Sequence, residues 1–288
     1  MTAHCFSSCA GVPLVKDSDG IWQAARTPEA VSYPPDGNRI FHTVEDDSWW
    51  FAHRNRVILG CLRRFPPPGD IWDIGGGNGA VSVMMARNGF GSILLEAGLD
   101  GCRNARRRGV ANVLRGTFES VRLLRGSLPA AGVFDVLEHS ANPASFLGGL
   151  HDALQDGGRL YLTVPAHPGL WSEEDEWAGH AVRFSRASLL AKLSGAGFFV
   201  LYHSFFFSFL SPAIFFVRVL PGRLGLARRR RGVERGGTLT RNVHRTPPGW
   251  VGRVWEKHLI REAARIGSGT VISHGSSLLA VCEKGRPR

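Results

Sequence analysis

Cysteine is scarce in this 288-residue chain, and the five present (Cys5, Cys9, Cys61, Cys102, Cys282) are odd in number and contain no Cys-x-x-Cys pair. That excludes a scaffold held only by disulfides and a paired zinc framework, and it points to a reducing, cytoplasmic setting. Cys5 and Cys9, with His4 beside them, lack a second ligand pair and read as free thiols in a tail. No basic stretch followed by an apolar one opens the chain, so no secretory leader is expected. The apolar run at 205–217 falls short of the roughly 20 residues that span a bilayer, and Pro212 interrupts it.

Acidic residues are also in deficit, 24 Asp+Glu against 35 Lys+Arg, for a formal charge of +11. An excess of that size suggests a polyanionic partner unless it is localised. It is localised: Arg218, Arg223, Arg228, Arg229, Arg230, Arg231 and Arg235 face only Glu234 within 218–235. That argues against a broad basic face for nucleic acid, and no interleaved aromatics accompany the arginines. An apolar segment followed by arginines fits either a lid over a site or a peripheral anionic membrane surface reached through 205–235. With 43% apolar and 20% charged residues, the remainder has an ordinary globular balance, long enough for one or two domains.

Residues 1–37 form an N-terminal extension without an assigned element, closed by Pro34-Pro35-Asp36-Gly37. A helix is expected over Phe41 to Phe65, before Pro66-Pro67-Pro68-Gly69. Then strands alternate with helices. Strands are expected at 71–74, 92–96, 113–114, 133–137, 159–164 and 198–202, with a late one at 277–282. This alternation indicates parallel crossovers in an open α/β sheet. The boundaries are 38–205 for the core, 206–274 for an insertion or lid, and 275–288 for the last strand and tail.

Chemistry concentrates at the strand ends. In Asp73-x-Gly75-x-Gly77-x-Gly79, missing side chains let the backbone turn tightly, and the next helix offers unpaired N–H groups. Glu96, at the end of the second expected strand, can accept hydrogen bonds from both hydroxyls of a ribose. A nucleoside-containing cofactor follows. Gly75-x-Gly77-x-x-Ala80 also satisfies the dinucleotide fingerprint of a nicotinamide oxidoreductase. Against that, Asp73 is placed to hold the turn and a cationic amino-acid moiety, and the fourth expected strand runs into Phe134-Asp135-Val136-Leu137-Glu138-His139.

These stretches resemble the class I S-adenosylmethionine-dependent methyltransferases, in particular the ubiquinone-pathway O-methyltransferase-like branch. The likeness rests on DIGGGNG (73–79), LLE (94–96), FDVLEH (134–139), GGRLYLTVPA (157–166) and WWFAHRNR (49–56). It implies a Rossmann-like seven-stranded, mostly parallel sheet with an antiparallel last strand inserted between the fifth and sixth, and helices on both faces. It places Asp73, Gly75, Gly77, Gly79, Glu96 and Asp135 around S-adenosyl-L-methionine, with Arg54 on the methionine carboxylate. Where the family often has an Asp near the adenine, this chain has Thr117 and Phe118, leaving a stacking ring and a weaker hydrogen-bonding group.

Asp135, Glu138 and His139, joined by His180 from a later loop, make a second constellation that in some relatives holds a divalent cation. The plainer alternative is that Glu138 caps backbone and His139 packs beneath the site. His139 and His180 are the candidate bases for an oxygen acceptor. The loop LWSEEDEWAGH supplies either aromatic pocket walls and an acid or base, or a solvated acidic surface anchored by two tryptophans. The expected activity is methyl transfer to a small, apolar or lipid-like acceptor, with O-methylation favoured. The alternatives are a non-catalytic cofactor-binding or membrane-docked module, then an RNA methyltransferase or a nicotinamide enzyme.

Overall fold

The computed structural model describes residues 7–24, 37–220, 246 and 248–285. Its centre is one twisted sheet in the order β1-β2-β5-β4-β3-β6-β7-β9-β8. The strands are β1 (Leu14–Lys16), β2 (Trp22–Ala24), β3 (Ile71–Ile74), β4 (Ser92–Glu96), β5 (Val113–Arg115), β6 (Leu128–Phe134), β7 (Leu154–Pro165), β8 (Phe198–Phe206) and β9 (Ser277–Lys284). The helices are α1 (Gly37–His42), α2 (Trp49–Arg64), α3 (Ala80–Arg87), α4 (Leu99–Arg107), α5 (Phe118–Val121), α6 (Pro143–Ala153), α7 (Glu173–Ala178), α8 (Arg186–Gly195), α9 (Leu210–Ile214) and α10 (Gly249–Gly267).

Strands β5, β4, β3, β6 and β7 run parallel, and every residue of β3 is buried, as a sheet covered on both faces requires. β9 lies antiparallel between β7 and β8, pairing Leu162 with Ala280 on one side and His203 with Ala280 on the other. The expected α/β architecture and the inserted late strand are therefore present.

Four element readings need correction. The N-terminal extension is not element-free: β1 and β2 form a short hairpin, and β2 pairs parallel with β5, giving nine strands among the described residues. These strands have three residues each, too few for a period to register. The helix expected from Phe41 is two helices, because the Ser48 hydroxyl accepts the N–H groups of Trp50 (3.2 Å) and Phe51 (3.3 Å) and starts α2 afresh. The strand expected to reach Leu137 stops at Phe134; Asp135 takes φ 57°, and Leu137–His139 is a 3-10 turn. β8 runs four residues beyond the expected Tyr202, to Phe206, the first residue of the expected insertion.

That last difference changes what 205–217 is. Phe205, Phe206 and Phe207 are buried, and Phe209 packs edge-on against Trp255 of α10, 4.3 Å between centroids. α10 lies along α2 so closely that a Cβ on Gly60 would stand 3.2 Å from the Gly267 Cα. Glu262 of α10 is buried where chain, helix and sheet meet. Its Oε2 lies 2.7 Å from His53 Nε2 and accepts the Phe207 N–H (2.8 Å), while Oε1 accepts the Ser208 N–H (2.9 Å). Burial would raise its pKa, but the hydrogen bonds from His53 and Ser208 bring it down to about 2. Phe206, Phe207, Phe209 and Leu210 and the inner face of α10 thus pack into the core; Arg223 through Arg235 lie outside the described residues.

Candidate active site

Both predicted clusters fall at the carboxyl ends of the parallel strands, where open α/β sheets bind ligands. Leaving β3, the chain passes Gly75, Gly77 and Gly79 at φ 71°, 54° and 81°, a left-handed region costly to side-chain-bearing residues. Gly75 is also constrained by space, since a Cβ there would stand 2.7 Å from Val136. A Cβ on Gly77 would meet only the Asn38 Oδ1, at 3.7 Å, so the backbone presents an open concavity before α3.

Asp73 is buried and accepts the Ser82 hydroxyl at 2.7 Å; burial raises its pKa to about 6. Glu96 accepts the N–H groups of Gly98 (2.7 Å) and Gly77 (3.0 Å) and the Asn38 amide (3.3 Å). Burial lifts its pKa, and those three donors oppose the rise. The carboxylate is fixed beside the glycine turn.

Arg54 does not stand free. Its Nη1 donates to Asp135 Oδ2 at 2.7 Å, Thr163 donates to Asp135 Oδ1 at 3.1 Å, and the guanidinium lies over the rings of Trp50 and Phe51. Asp135 is therefore held by Arg54 rather than grouped with the imidazoles. Arg54 Nε is buried without a hydrogen-bond partner. The Thr117 hydroxyl caps α5 by accepting the Ser120 N–H (3.0 Å), and Phe118 packs on Phe146, so neither is an unencumbered adenine contact.

The second cluster is assembled from β6 and the loop after β7. The rings of His139 and His180 meet edge to face, 4.9 Å apart, and one ligand atom from each of Glu138, His139 and His180 lies within 4.8 Å of the others. Glu138 is buried and its Oε2 has no hydrogen-bond partner; burial, then the nearby Asp135 carboxylate, push its pKa well up. Its backbone carbonyl accepts the Ala181 N–H at 2.7 Å, which pins the later loop to the β6 end.

Of the acids in that loop, which the sequence does not rank, Asp175 is the one buried at its centre. His180 Nδ1 lies 2.8 Å from its Oδ1, which also accepts Arg183 Nε at 2.8 Å, and Oδ2 accepts the Ser172 N–H at 2.9 Å. A capping pattern, Ser172-x-x-Asp175, was the available signal. Trp177 reaches across to Phe41 of α1 (6.2 Å), which contacts Phe51 (5.9 Å), so loop, α1 and α2 share an aromatic wall.

Fold and site define an α/β protein in which a glycine turn and the Glu96 tip of β4 stand together at the carboxyl ends of the parallel strands. The chain belongs to the methyltransferase-domain family, whose model matches residues 50–203. It is an S-adenosylmethionine-dependent methyltransferase with S-adenosyl-L-methionine as its cofactor. Similar solved structures include the [4+2]-cyclase SpnF (15% identity, 96% of this chain and 100% of that one, TM-score 0.55). Another is a methyltransferase bound to the Haloferax volcanii Trm112 activator (17%, 88% and 95%, TM-score 0.52). A third is geranyl diphosphate C-methyltransferase from Streptomyces coelicolor A3(2), with Mg2+, geranyl diphosphate and S-adenosyl-L-homocysteine (14%, 81% and 79%, TM-score 0.50). At these identities the likeness is one of fold. No curated protein sequence matches the chain.

Proposed function

We propose that the protein methylates a hydroxyl of a small, predominantly apolar acceptor, in the manner of the ubiquinone-pathway O-methyltransferase-like branch. The observation that carries this reading is the facing pair His139 and His180 beside buried Glu138, next to an aromatic wall of Trp177, Phe41 and Phe51. An oxygen nucleophile must lose its proton as it is methylated, and an imidazole beside a buried carboxylate is suited to take it.

Bound S-adenosylmethionine supplies a methyl on a sulfonium, made electrophilic by the positive sulfur. Gly75, Gly77 and Gly79 would line its methionine and ribose portions, Glu96 would accept the ribose hydroxyls, and Asp73 would steady the turn. Arg54 would meet the methionine carboxylate, a role supported by its buried, unpartnered Nε. The acceptor proton passes to His180 Nε2 or to His139, the acceptor oxygen forms the new O–CH₃ bond, and the S–CH₃ electrons remain with sulfur. The aromatic wall orients the acceptor and excludes water.

A divalent cation is a second reading, favoured by the orphaned Glu138 Oε2 and by the Glu138, His139, His180 grouping. Two imidazoles and a carboxylate suit such an ion, which would acidify a bound hydroxyl. Asp135 does not belong to that set, because Arg54 and Thr163 occupy both of its oxygens. Peripheral binding to anionic membrane remains a proposal for the arginines of 221–235; no helix among the described residues is long and apolar enough to cross a membrane.

The test is product mass after incubation with isotopically methyl-labelled S-adenosylmethionine and matched acceptors carrying a phenolic hydroxyl, an amine or a nucleophilic alkene on one apolar frame. O-methyl product supports the reading. Turnover confined to the amine or alkene refutes it. Chelator and added magnesium, manganese or zinc decide the role of the cation.

A further inference from the structure

Asp175 is 1% exposed, five residues before His180 and within a run of four acids that would ordinarily be solvated. Its carboxylate is surrounded by donors: Arg183 Nε at 2.8 Å on Oδ1, and on Oδ2 the Ser172 N–H at 2.9 Å and the Ser172 hydroxyl at 3.3 Å. A carboxylate held by a guanidinium and a backbone N–H is ionised and can only accept. The ring nitrogen 2.8 Å from its Oδ1, His180 Nδ1, must then carry the hydrogen. His180 is tied to Asp175 a second time, through its own backbone N–H to the Asp175 carbonyl at 2.9 Å. With Nδ1 committed, Nε2 points the other way, to within 3.9 Å of Glu138 Oε1 and beside the His139 ring.

The geometry points to Asp175 as the positioning residue of the acceptor end: it locks His180 in the Nδ1–H tautomer and aims the Nε2 lone pair at the Glu138–His139 corner. Arg183 completes the device. Its Nη1 donates to the Ala166 carbonyl (3.2 Å), so the carboxylate is itself anchored to the end of β7. A carboxylate behind an imidazole is the usual means of fixing which nitrogen is free to take a proton or bind a cation. The importance of that lone pair for turnover rests on the proposed function; the tautomer does not.

The full-length protein labelled with 15N at histidine gives a direct reading, by two-bond nitrogen–proton correlation at a pH where the ring is neutral. The wild type is expected to show His180 as the Nδ1–H tautomer alone. Asp175→Asn is expected to release it toward the Nε2–H form and to lower kcat roughly 10- to 100-fold, with S-adenosylmethionine affinity within about three-fold. Arg183→Gln loosens the loop anchor but keeps the carboxylate, and should retain the Nδ1–H tautomer. Should Asp175→Asn not fold, the wild-type and Arg183→Gln spectra still decide. A wild-type His180 in the Nε2–H form, or an Asp175→Asn spectrum unchanged from wild type, overturns the assignment. A shifted tautomer with unchanged kcat leaves the positioning role intact and refutes instead the part given to His180 in methyl transfer.

Discussion

The two ends of this site are built from different materials. At the end proposed for the cofactor the chain offers mostly backbone: three glycines in left-handed conformations, the N-terminus of α3, and a Glu96 carboxylate fixed by the N–H groups of Gly77 and Gly98. At the end proposed for the acceptor it offers side chains from two separate segments, Glu138 and His139 after β6 and Asp175, His180 and Arg183 after β7. A backbone-built site depends on conformation at fixed spacing and tolerates almost no added atoms. A side-chain site depends on which groups meet, and its individual members can be exchanged without refolding the turn.

The comparison breaks most visibly if the glycine turn tolerates a side chain. Gly79→Val places a β-branched residue at φ 81° with its Cβ 2.9 Å from that of Ala105, so a loss of about 3–4 kcal/mol in stability and of measurable S-adenosylmethionine binding is expected. Denaturant melts and calorimetric titration read both.

Glu96→Ala leaves buried N–H donors unmet and should weaken S-adenosylmethionine roughly 30- to 100-fold by calorimetry, without a matching fall in kcat at saturation. His180→Ala should do the converse, cutting kcat for a hydroxyl acceptor about 10- to 100-fold while cofactor affinity holds within about three-fold. If either variant moved both quantities equally, the two ends would be one coupled unit.

A smaller effect tests the support common to both. Glu262 titrates near 2, below its unfolded value of roughly 4.3, so its contribution is complete above the unfolded value and is lost as pH falls toward 2. Buried His53, lowered chiefly by desolvation, reinforces the trend, because it resists protonation in the folded state. Glu262→Gln should cost about 1–2 kcal/mol at pH 7 and flatten the acid limb of a stability-against-pH curve; an unchanged acid limb would count against the pair.

The meeting of the glycine turn and Glu96 is legible because glycine spacing and a distant acid leave a mark on the sequence. His139 and His180 were also placed together, since each follows a strand that the hydrophobic pattern had located. Asp175 was hidden among Glu173, Glu174 and Glu176, where composition does not say which acid turns inward. The sequence assigns Arg54 and Asp135 to the cofactor separately, 81 positions apart, and only the structure shows the ion pair between them. Phe205-Phe206-Phe207 has a composition that suits a lid, a membrane face or a core; pairing of Phe206 with Ser277 decides for the core. Deleting 205–235 would therefore remove the end of a central-sheet strand along with the arginines.

That strand order also bears on how the chain is made. β7 and β8 do not touch each other as neighbours; each pairs with β9, which begins at Ser277. On the ribosome both would be synthesised well before their common partner, and both would present open edges until it emerged. Sheet completion is thus deferred until Ser277–Lys284 has been synthesised. Shielding those edges meanwhile falls to other parts of the nascent polypeptide or to a chaperone, and premature release before Ser277 would yield an aggregation-prone fragment rather than a smaller enzyme.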